Sequence, residues 1–145
     1  MAQKAIREYD GKKILSEFLP HYSGDTIKIN QRFVQISPDT DLDGLIKEHP
    51  WLTSEKLVVK PDQLIKRRGK NNLLLLNATW EEVLKWLSHR SGSELTIDGI
   101  TGKLDTFIVE PFFPHEAEDE IYIAIRSVRE GDEILFYPQG GINVG

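Results

Sequence analysis

Apolar residues recur at helical spacing in the first fifty residues of this chain. This spacing predicts a helix over residues 5–19 that ends at Pro20, then a loop over residues 21–31. A second helix is predicted over residues 43–48, and Pro50 stops it. The apolar face of the first helix is imperfect and consists of Ile6, Tyr9, Ile14, Leu15 and Phe18.

A third helix and several strands follow. The helix is predicted to begin after Thr79, because two glutamates follow this cap residue, and to end at Gly92. Short alternating or β-branched runs predict strands over residues 33–36, 57–59, 73–76, 95–97, 106–109, 121–128 and 133–137. Residues 130–132 are expected to form the turn of a hairpin. Helices and strands lack a regular βαβ rhythm, so the fold class is α+β, with helices packed on mixed or antiparallel sheets.

Composition narrows the function classes. The chain has 145 residues, 39% of them hydrophobic, which suits one compact domain or two small lobes. Its net charge of −5 disfavours nonspecific binding to nucleic acid or to an anionic membrane. The absence of cysteine excludes disulfides and thiol catalysis. The apolar run 73–76 is too short to cross a membrane and the N-terminus does not resemble a signal peptide, so we expect a cytoplasmic protein.

A basic segment after the predicted strand 57–59 is the first candidate site. Lys60 could contact phosphate oxygens as a point charge, and Arg68 could bind them in a bidentate manner. Gly69 would allow the backbone to approach a phosphate closely. The pattern alone is also typical of a solvated surface, and it partly resembles a nucleic-acid patch.

A second candidate lies where the strand 106–109 runs into a loop rich in proline and phenylalanine. Apolar side chains and unpaired backbone groups at such a junction can sandwich a purine, and a carboxylate a few residues later can bind ribose hydroxyls. A proline-stiffened turn followed by a solvated acidic run explains the pattern equally well. The interruption at Glu110 and Pro111 also predicts a lobe boundary, with residues 1–109 in a first lobe and 110–145 in a second.

The remaining polar residues give no candidate for a catalytic or metal-binding group. The four histidines are scattered without the spacing of metal ligands, and no nucleophile with a neighbouring base is apparent. The glycines at 140, 141 and 145 suggest a sharp turn or a close approach to a ligand, but this signal has low specificity.

Taken together, these segments resemble the N-terminal ATP-grasp region of the ATP-citrate lyase family. The most specific segment runs from Leu57 to Lys70 and reads Leu-Val-Val-Lys-Pro-Asp-Gln-Leu-Ile-Lys-Arg-Arg-Gly-Lys. The other matching segments are Ser37 to Asp41, Pro50 to Leu52, Glu110 to Phe112, Pro114-His115, Arg129 to Asp132 and Gly140-Gly141. The segment from Arg7 to Lys12 is also similar to the β subunit of succinyl-CoA synthetase.

The resemblance implies an incomplete ATP-grasp fold, in which two α+β lobes clasp ATP between antiparallel sheets. The positions that match the family's nucleotide contacts are Lys60, Arg68 and Gly69 for the phosphates, Pro111 and Phe113 for adenine, and Glu120 for the ribose. Phe113 replaces a smaller residue usual in the family, a change that a contact through backbone atoms tolerates.

The family reaction converts ATP, citrate and coenzyme A to acetyl-CoA, oxaloacetate, ADP and phosphate. The resemblance implies that the Mg²⁺ ligands and the citrate and coenzyme A sites lie elsewhere in a longer parent protein, which we expect to be a homo-oligomer. The 145-residue chain would then bind nucleotide without turning over. Two alternatives are the β subunit of another acyl-CoA synthetase and a non-catalytic module that binds anions or nucleic acid.

Overall fold

The computed structural model describes residues 5–65, 68, 71–97 and 99–140. Its helices are α1 (Glu8–Tyr22), α2 (Leu42–Glu48), α3 (Trp51–Ser54) and α4 (Trp80–Arg90), and a 3₁₀ turn covers Ala117–Asp119. The strands are β1 (Val34–Ile36), β2 (Leu57–Pro61), β3 (Leu75–Ala78), β4 (Glu94–Ile97), β5 (Ile100–Lys103), β6 (Phe107–Pro111), β7 (Tyr122–Val128) and β8 (Gly131–Tyr137). The α+β class is confirmed, and every strand pairing in these ranges is antiparallel.

A four-stranded sheet in the order β1-β6-β2-β3 organises the first part of the chain. Val59 of β2 pairs with Val109 of β6, and Val34 of β1 pairs with Val109 from the other side. Because directly paired residues of neighbouring strands point to the same side, these three valines lie on one face of the sheet. Helices α3 and α4 cover this face and bury Leu52 and Val83 completely.

Helix α1 contacts the opposite face through polar groups. The backbone N–H of Tyr9 donates to Oδ1 of Asp62 (3.2 Å), and Nε2 of Gln35 donates to Oδ2 of the same carboxylate (2.7 Å). Asp62 is only 1% exposed, so these two hydrogen bonds satisfy a buried acid. Nη1 of Arg7 donates to Oγ1 of Thr106 (3.0 Å) just before the helix begins. Polar contacts therefore contribute much of the attachment of α1 to the sheet, together with an edge-to-face contact between the rings of Tyr9 and Phe33.

Two details of α1 differ from the prediction. The helix continues through Pro20 to Tyr22, so the predicted end at Pro20 is wrong. Proline lacks the N–H that would bond four residues back, but a proline in the last turn removes only that one bond. Most of the predicted apolar face lies outward, with Ile14 and Phe18 each almost half exposed, whereas Tyr9 is half-buried and Ser16 is the residue of the helix that is buried.

The strands that follow α4 form two hairpins. Strand β4 pairs with β5, and β7 pairs with β8 over seven residues. The sequence analysis did not predict strand β5. The predicted hairpin at 130–132 is present, but the turn lies at Arg129 and Glu130 because Val128 already pairs with Gly131. The chain divides into two compact units, Met1–Phe112 and Phe113–Gly145, and each is described by itself.

Candidate functional site

Lys60 occupies the face of β2 that points away from the apolar core. Leu57, Val59 and Pro61 alternate with it and are buried, so the period of the strand turns Lys60 toward α1. Its side chain is 17% exposed, which is low for a lysine and requires anionic partners. The alternation of β2 therefore places one cation at the edge of the core.

Glu110 supplies the first anionic partner. Lys60 pairs with Ile108 in the ladder, so Glu110 is its diagonal neighbour on the same face of the sheet. Nζ of Lys60 donates to Oε1 of Glu110 at 2.9 Å. Nζ of Lys12, from α1, also donates to the Glu110 carboxylate.

Glu8, in the first turn of α1, is the second anionic partner and the centre of the site. Its Oε1 lies 2.7 Å from Nζ of Lys60 and 3.2 Å from Nζ of Lys12, and its Oε2 lies 2.6 Å from Nη2 of Arg68. We call Glu8, Lys12, Lys60, Arg68 and Glu110 the ion cluster. It contains three cations and two anions, a net charge of +1.

Arg68 reaches this cluster from the loop between β2 and β3. Its Nη1 donates to the backbone carbonyl of Pro61 at 2.8 Å while its Nη2 holds Glu8. The structure therefore brings together Lys60 and Arg68, the two cations that the sequence predicted on the phosphate side. Gly69, the third predicted phosphate contact, lies outside the described residues.

The pKa values in the cluster reflect burial opposed by opposite charges. Burial alone would raise the pKa of Glu8, but Lys60, Arg68 and Lys12 stabilise its carboxylate and lower the pKa to about 2. Burial would likewise raise the pKa of Glu110, and Lys60 and Lys12 lower it below the ordinary value. Burial would lower the pKa of Lys60, and Glu110 and Glu8 raise it. All three groups are therefore charged at neutral pH.

The predicted adenine and ribose contacts lie further along the chain. Pro111 is the last residue of β6, pairs with Leu57 and is half-buried in the first unit. Phe113 and Glu120 belong to the second unit. The Phe113 side chain is 81% exposed, whereas Glu120 is half-buried.

His115 connects the two predicted contacts of the second unit. Its Nδ1 lies 2.9 Å from the backbone carbonyl of Phe113, and its Nε2 lies 3.1 Å from Oε1 of Glu120. The hydrogen bond to the Phe113 carbonyl, followed by that to Glu120, raises the pKa of His115. The sequence analysis assigned no role to this histidine, which is exposed but contacts both the carbonyl and the carboxylate of the predicted site.

The sequence analysis missed Glu8, Lys12 and Glu110 as members of the site. A local signal existed for the first two, because glutamate followed by lysine four residues later stabilises one face of a helix. That signal does not indicate that the pair faces Lys60. The role of Glu110 depends on the register between β2 and β6, which is a tertiary property.

Other features of the described structure add no chemistry to the site. A cleft of about 570 Å³ between α1, β1 and α2 is lined by Tyr9, Lys13 and His49 among others, but by no member of the ion cluster. Within residues 5–65, 68, 71–97 and 99–140, no group of three or more acidic or histidine side chains could hold a metal ion. No helix in these ranges is long and apolar enough to cross a membrane.

Comparison with known proteins identifies the family. Residues 2–145 match the family model of the ATP-citrate synthase ATP-grasp domain. The whole chain is 46% identical to ATP-citrate synthase of Bos taurus, of which it covers 13%. It is also 46% identical to ATP-citrate synthase alpha chain protein 2 of Arabidopsis thaliana, over 99% of this chain and 33% of the relative.

Solved structures of ATP citrate lyases superpose on this chain, in agreement with the sequence comparisons. ATP citrate lyase from Methanothrix soehngenii, in complex with citrate and coenzyme A, superposes with a TM-score of 0.88 at 48% identity, over 99% of this chain and 33% of that one. A Methanosaeta concilii ATP citrate lyase variant in complex with (3S)-citryl-CoA gives a TM-score of 0.80 at 46% identity, over 93% of this chain and 32% of that one. The chain thus spans between an eighth and a third of the length of these relatives.

Proposed function

Because the chain belongs to the ATP-citrate synthase family and matches its ATP-grasp domain, we propose that it binds the phosphates of ATP through Lys60 and Arg68. The observation that supports this proposal is the convergence of both cations on one carboxylate, within a cluster that keeps a net positive charge. Lysine and arginine are the side chains best suited to phosphate oxygens, the former as a point charge and the latter as a fork.

The rest of the nucleotide site is proposed from the positions that match the family. Gly69 would present its backbone to the phosphates, and Pro111 and Phe113 would contact adenine largely through backbone atoms. Glu120 would hold the ribose hydroxyls, with His115 orienting its carboxylate across 3.1 Å. We also propose that residues 1–109 form the first ATP-grasp lobe and residues 110–145 the start of the second.

Family membership is also the basis of a proposal for the activity of the longer parent protein. We propose that the longer parent converts ATP, citrate and coenzyme A to acetyl-CoA, oxaloacetate, ADP and phosphate in the cytoplasm, as a homo-oligomer. We propose, as the family resemblance implies, that the Mg²⁺ ligands lie in parts of the parent outside these 145 residues. Nucleotide binding, rather than turnover, is the role assigned to the 145 residues.

Substitution of either cation tests the phosphate site. Lys60→Ala and Arg68→Ala should each weaken ATP and ADP binding by about 1.5–3 kcal/mol, because each removes a charge-assisted contact to a phosphate. The measurement is calorimetric titration of ATP and ADP, with and without Mg²⁺, into the wild-type chain and both variants.

Lys85→Ala is the matched control, since Lys85 is an exposed cation on α4 and its loss changes the net charge equally. This variant should bind nucleotide like the wild type. Unchanged affinity in both Lys60→Ala and Arg68→Ala, with folding confirmed by circular dichroism, would refute the assignment of the phosphate side.

A further inference from the structure

Glu8 is an acidic residue at the centre of a site assigned to an anion. The nucleotide contacts proposed above do not include it, although it touches both Lys60 and Arg68. We propose that Glu8 is an internal anion that occupies these two cations in the free protein, and that the phosphates of the nucleotide displace it. This inference rests on the proposed function, because it assumes that Lys60 and Arg68 bind phosphate.

The contacts of Arg68 bring Glu8 and a phosphate into competition. Both terminal nitrogens of its guanidinium are engaged, Nη1 by the Pro61 carbonyl and Nη2 by Glu8. A bidentate contact to phosphate needs two neighbouring N–H groups that point the same way. Three of the five N–H donors of Arg68 remain, but a phosphate that they bound would lie beside the Glu8 carboxylate, so the two anions compete for one guanidinium.

Lys60 leads to the same conclusion. Its ammonium has three N–H donors, and Glu8 and Glu110 engage two of them. A phosphate could use the third donor, but its oxygens would then share one ammonium with the Glu8 carboxylate. Like charges at such separations repel strongly where the protein excludes part of the water.

Lys12 is an alternative ion-pair partner for the displaced Glu8 carboxylate. It lies one turn after Glu8 on α1, with its Nζ 3.2 Å from Oε1 of Glu8. Glu8 can therefore turn away from Lys60 and Arg68 while it keeps one ion pair on its own helix. Glu110 contacts Lys12 and Lys60 but makes no described ion pair with Arg68, so its presence leaves the arginine fork open.

The experiment titrates sodium tripolyphosphate and ATP into the wild-type chain, Glu8→Gln and Glu17→Gln by calorimetry. Glu8→Gln should bind both ligands about tenfold more tightly, because glutamine has a similar size but holds Arg68 without a charge. Glu17→Gln changes the net charge equally, yet Glu17 is exposed and about 13 Å further along α1, beyond the screening length at physiological salt. The affinity of Glu17→Gln for both ligands should stay within about twofold of the wild-type affinity.

Several outcomes overturn the proposal. Unchanged or weaker binding by folded Glu8→Gln, with Lys60→Ala still weakening the wild-type interaction, means that Glu8 positions the cations and leaves the proposed function intact. Absence of binding by both the wild type and Glu8→Gln at millimolar ligand means that Glu8 is not what excludes the anion. Binding that is insensitive to Lys60→Ala and Arg68→Ala refutes the proposed function itself.

A structural measurement on the wild-type chain removes the dependence on a variant that could fail to fold. In a crystal structure with tripolyphosphate bound, the Glu8 carboxylate should lie more than about 4 Å from the Arg68 guanidinium. An intact ion pair between Glu8 and Arg68 beside a bound phosphate would overturn the proposal.

Discussion

At the scale of single residues, Glu8 pairs with all three cations of the ion cluster. Burial opposes its charge, but three cations more than offset that cost and lower its pKa from 4.5 to about 2. A carboxyl whose pKa is lower in the folded state stabilises the fold above its unfolded pKa, and this contribution disappears as the pH falls through the folded value. The contribution of Glu8 is therefore complete above about pH 4.5 and lost toward pH 2.

This linkage predicts a pH-dependent difference between the wild type and Glu8→Gln. At pH 7 the variant should have a lower free energy of unfolding by about 1–3 kcal/mol, because Lys60 and Arg68 lose a charged partner. The difference should shrink as the pH falls from 4.5 toward 2. Urea unfolding at several pH values measures it, with Glu17→Gln as the control, and a difference that stays constant over this range would contradict the prediction.

At the scale of elements, α1 and α4 are held in different ways. Helix α4 is stabilised locally at its start, where Oγ1 of Thr79 accepts from the Glu82 N–H (3.3 Å) and the Glu82 carboxylate accepts from the Thr79 N–H (2.7 Å). Its apolar side is buried against β2 and β3. Helix α1 has no side-chain cap, and its position depends on ion pairs and hydrogen bonds to the sheet.

The capping box of α4 predicts a measurable loss of stability. Thr79→Ala should lower the free energy of unfolding by about 1 kcal/mol, because the Glu82 N–H then loses its acceptor at the end of the helix. Thr26→Ala serves as the control, since Thr26 is exposed and precedes no helix. Chemical denaturation followed by circular dichroism measures both variants. An equal effect of the two substitutions would show that the cap contributes nothing specific.

At the scale of the whole molecule, the two units differ in how much apolar surface they bury. The four-stranded sheet contains residues with no exposure at all, such as Val59, Ile108 and Val109. In the hairpin of the second unit, Ile125 and Ile134 are each about 70% exposed in the described structure. A two-stranded hairpin is only marginally stable when its side chains have nothing to pack against.

The contrast predicts unequal protection of backbone amides. Hydrogen exchange followed by NMR should give opening free energies at least about 3 kcal/mol lower for β7 and β8 than for β2 and β6, because the hairpin opens without exposing a buried core. The amides of α4 provide an internal reference with high protection. Equal protection of the hairpin and the sheet would contradict this prediction.

The sequence alone was sufficient for the features that depend on neighbouring residues. The β-branched run at residues 57–59 predicted a buried strand just before Lys60, and Thr79 followed by two glutamates predicted the start of α4. The segment from Leu57 to Lys70 was specific enough to identify the family, which the comparisons confirm. Each of these signals lies within a run of at most 14 residues, where propensity and periodicity act directly.

Only the tertiary structure decided which groups surround Lys60. Glu110 lies 50 residues away and reaches it through the β2–β6 register, and Glu8 comes from a helix whose polar rather than apolar side meets the sheet. The same contacts explain why Ile14, Leu15 and Phe18 of α1 lie outward, contrary to what the amphipathic pattern of the helix suggests. Spacing along the chain does not encode sheet order or the cost of leaving a buried cation unpaired. The pairing of Lys60 and Arg68 with Glu8 therefore had to come from the fold.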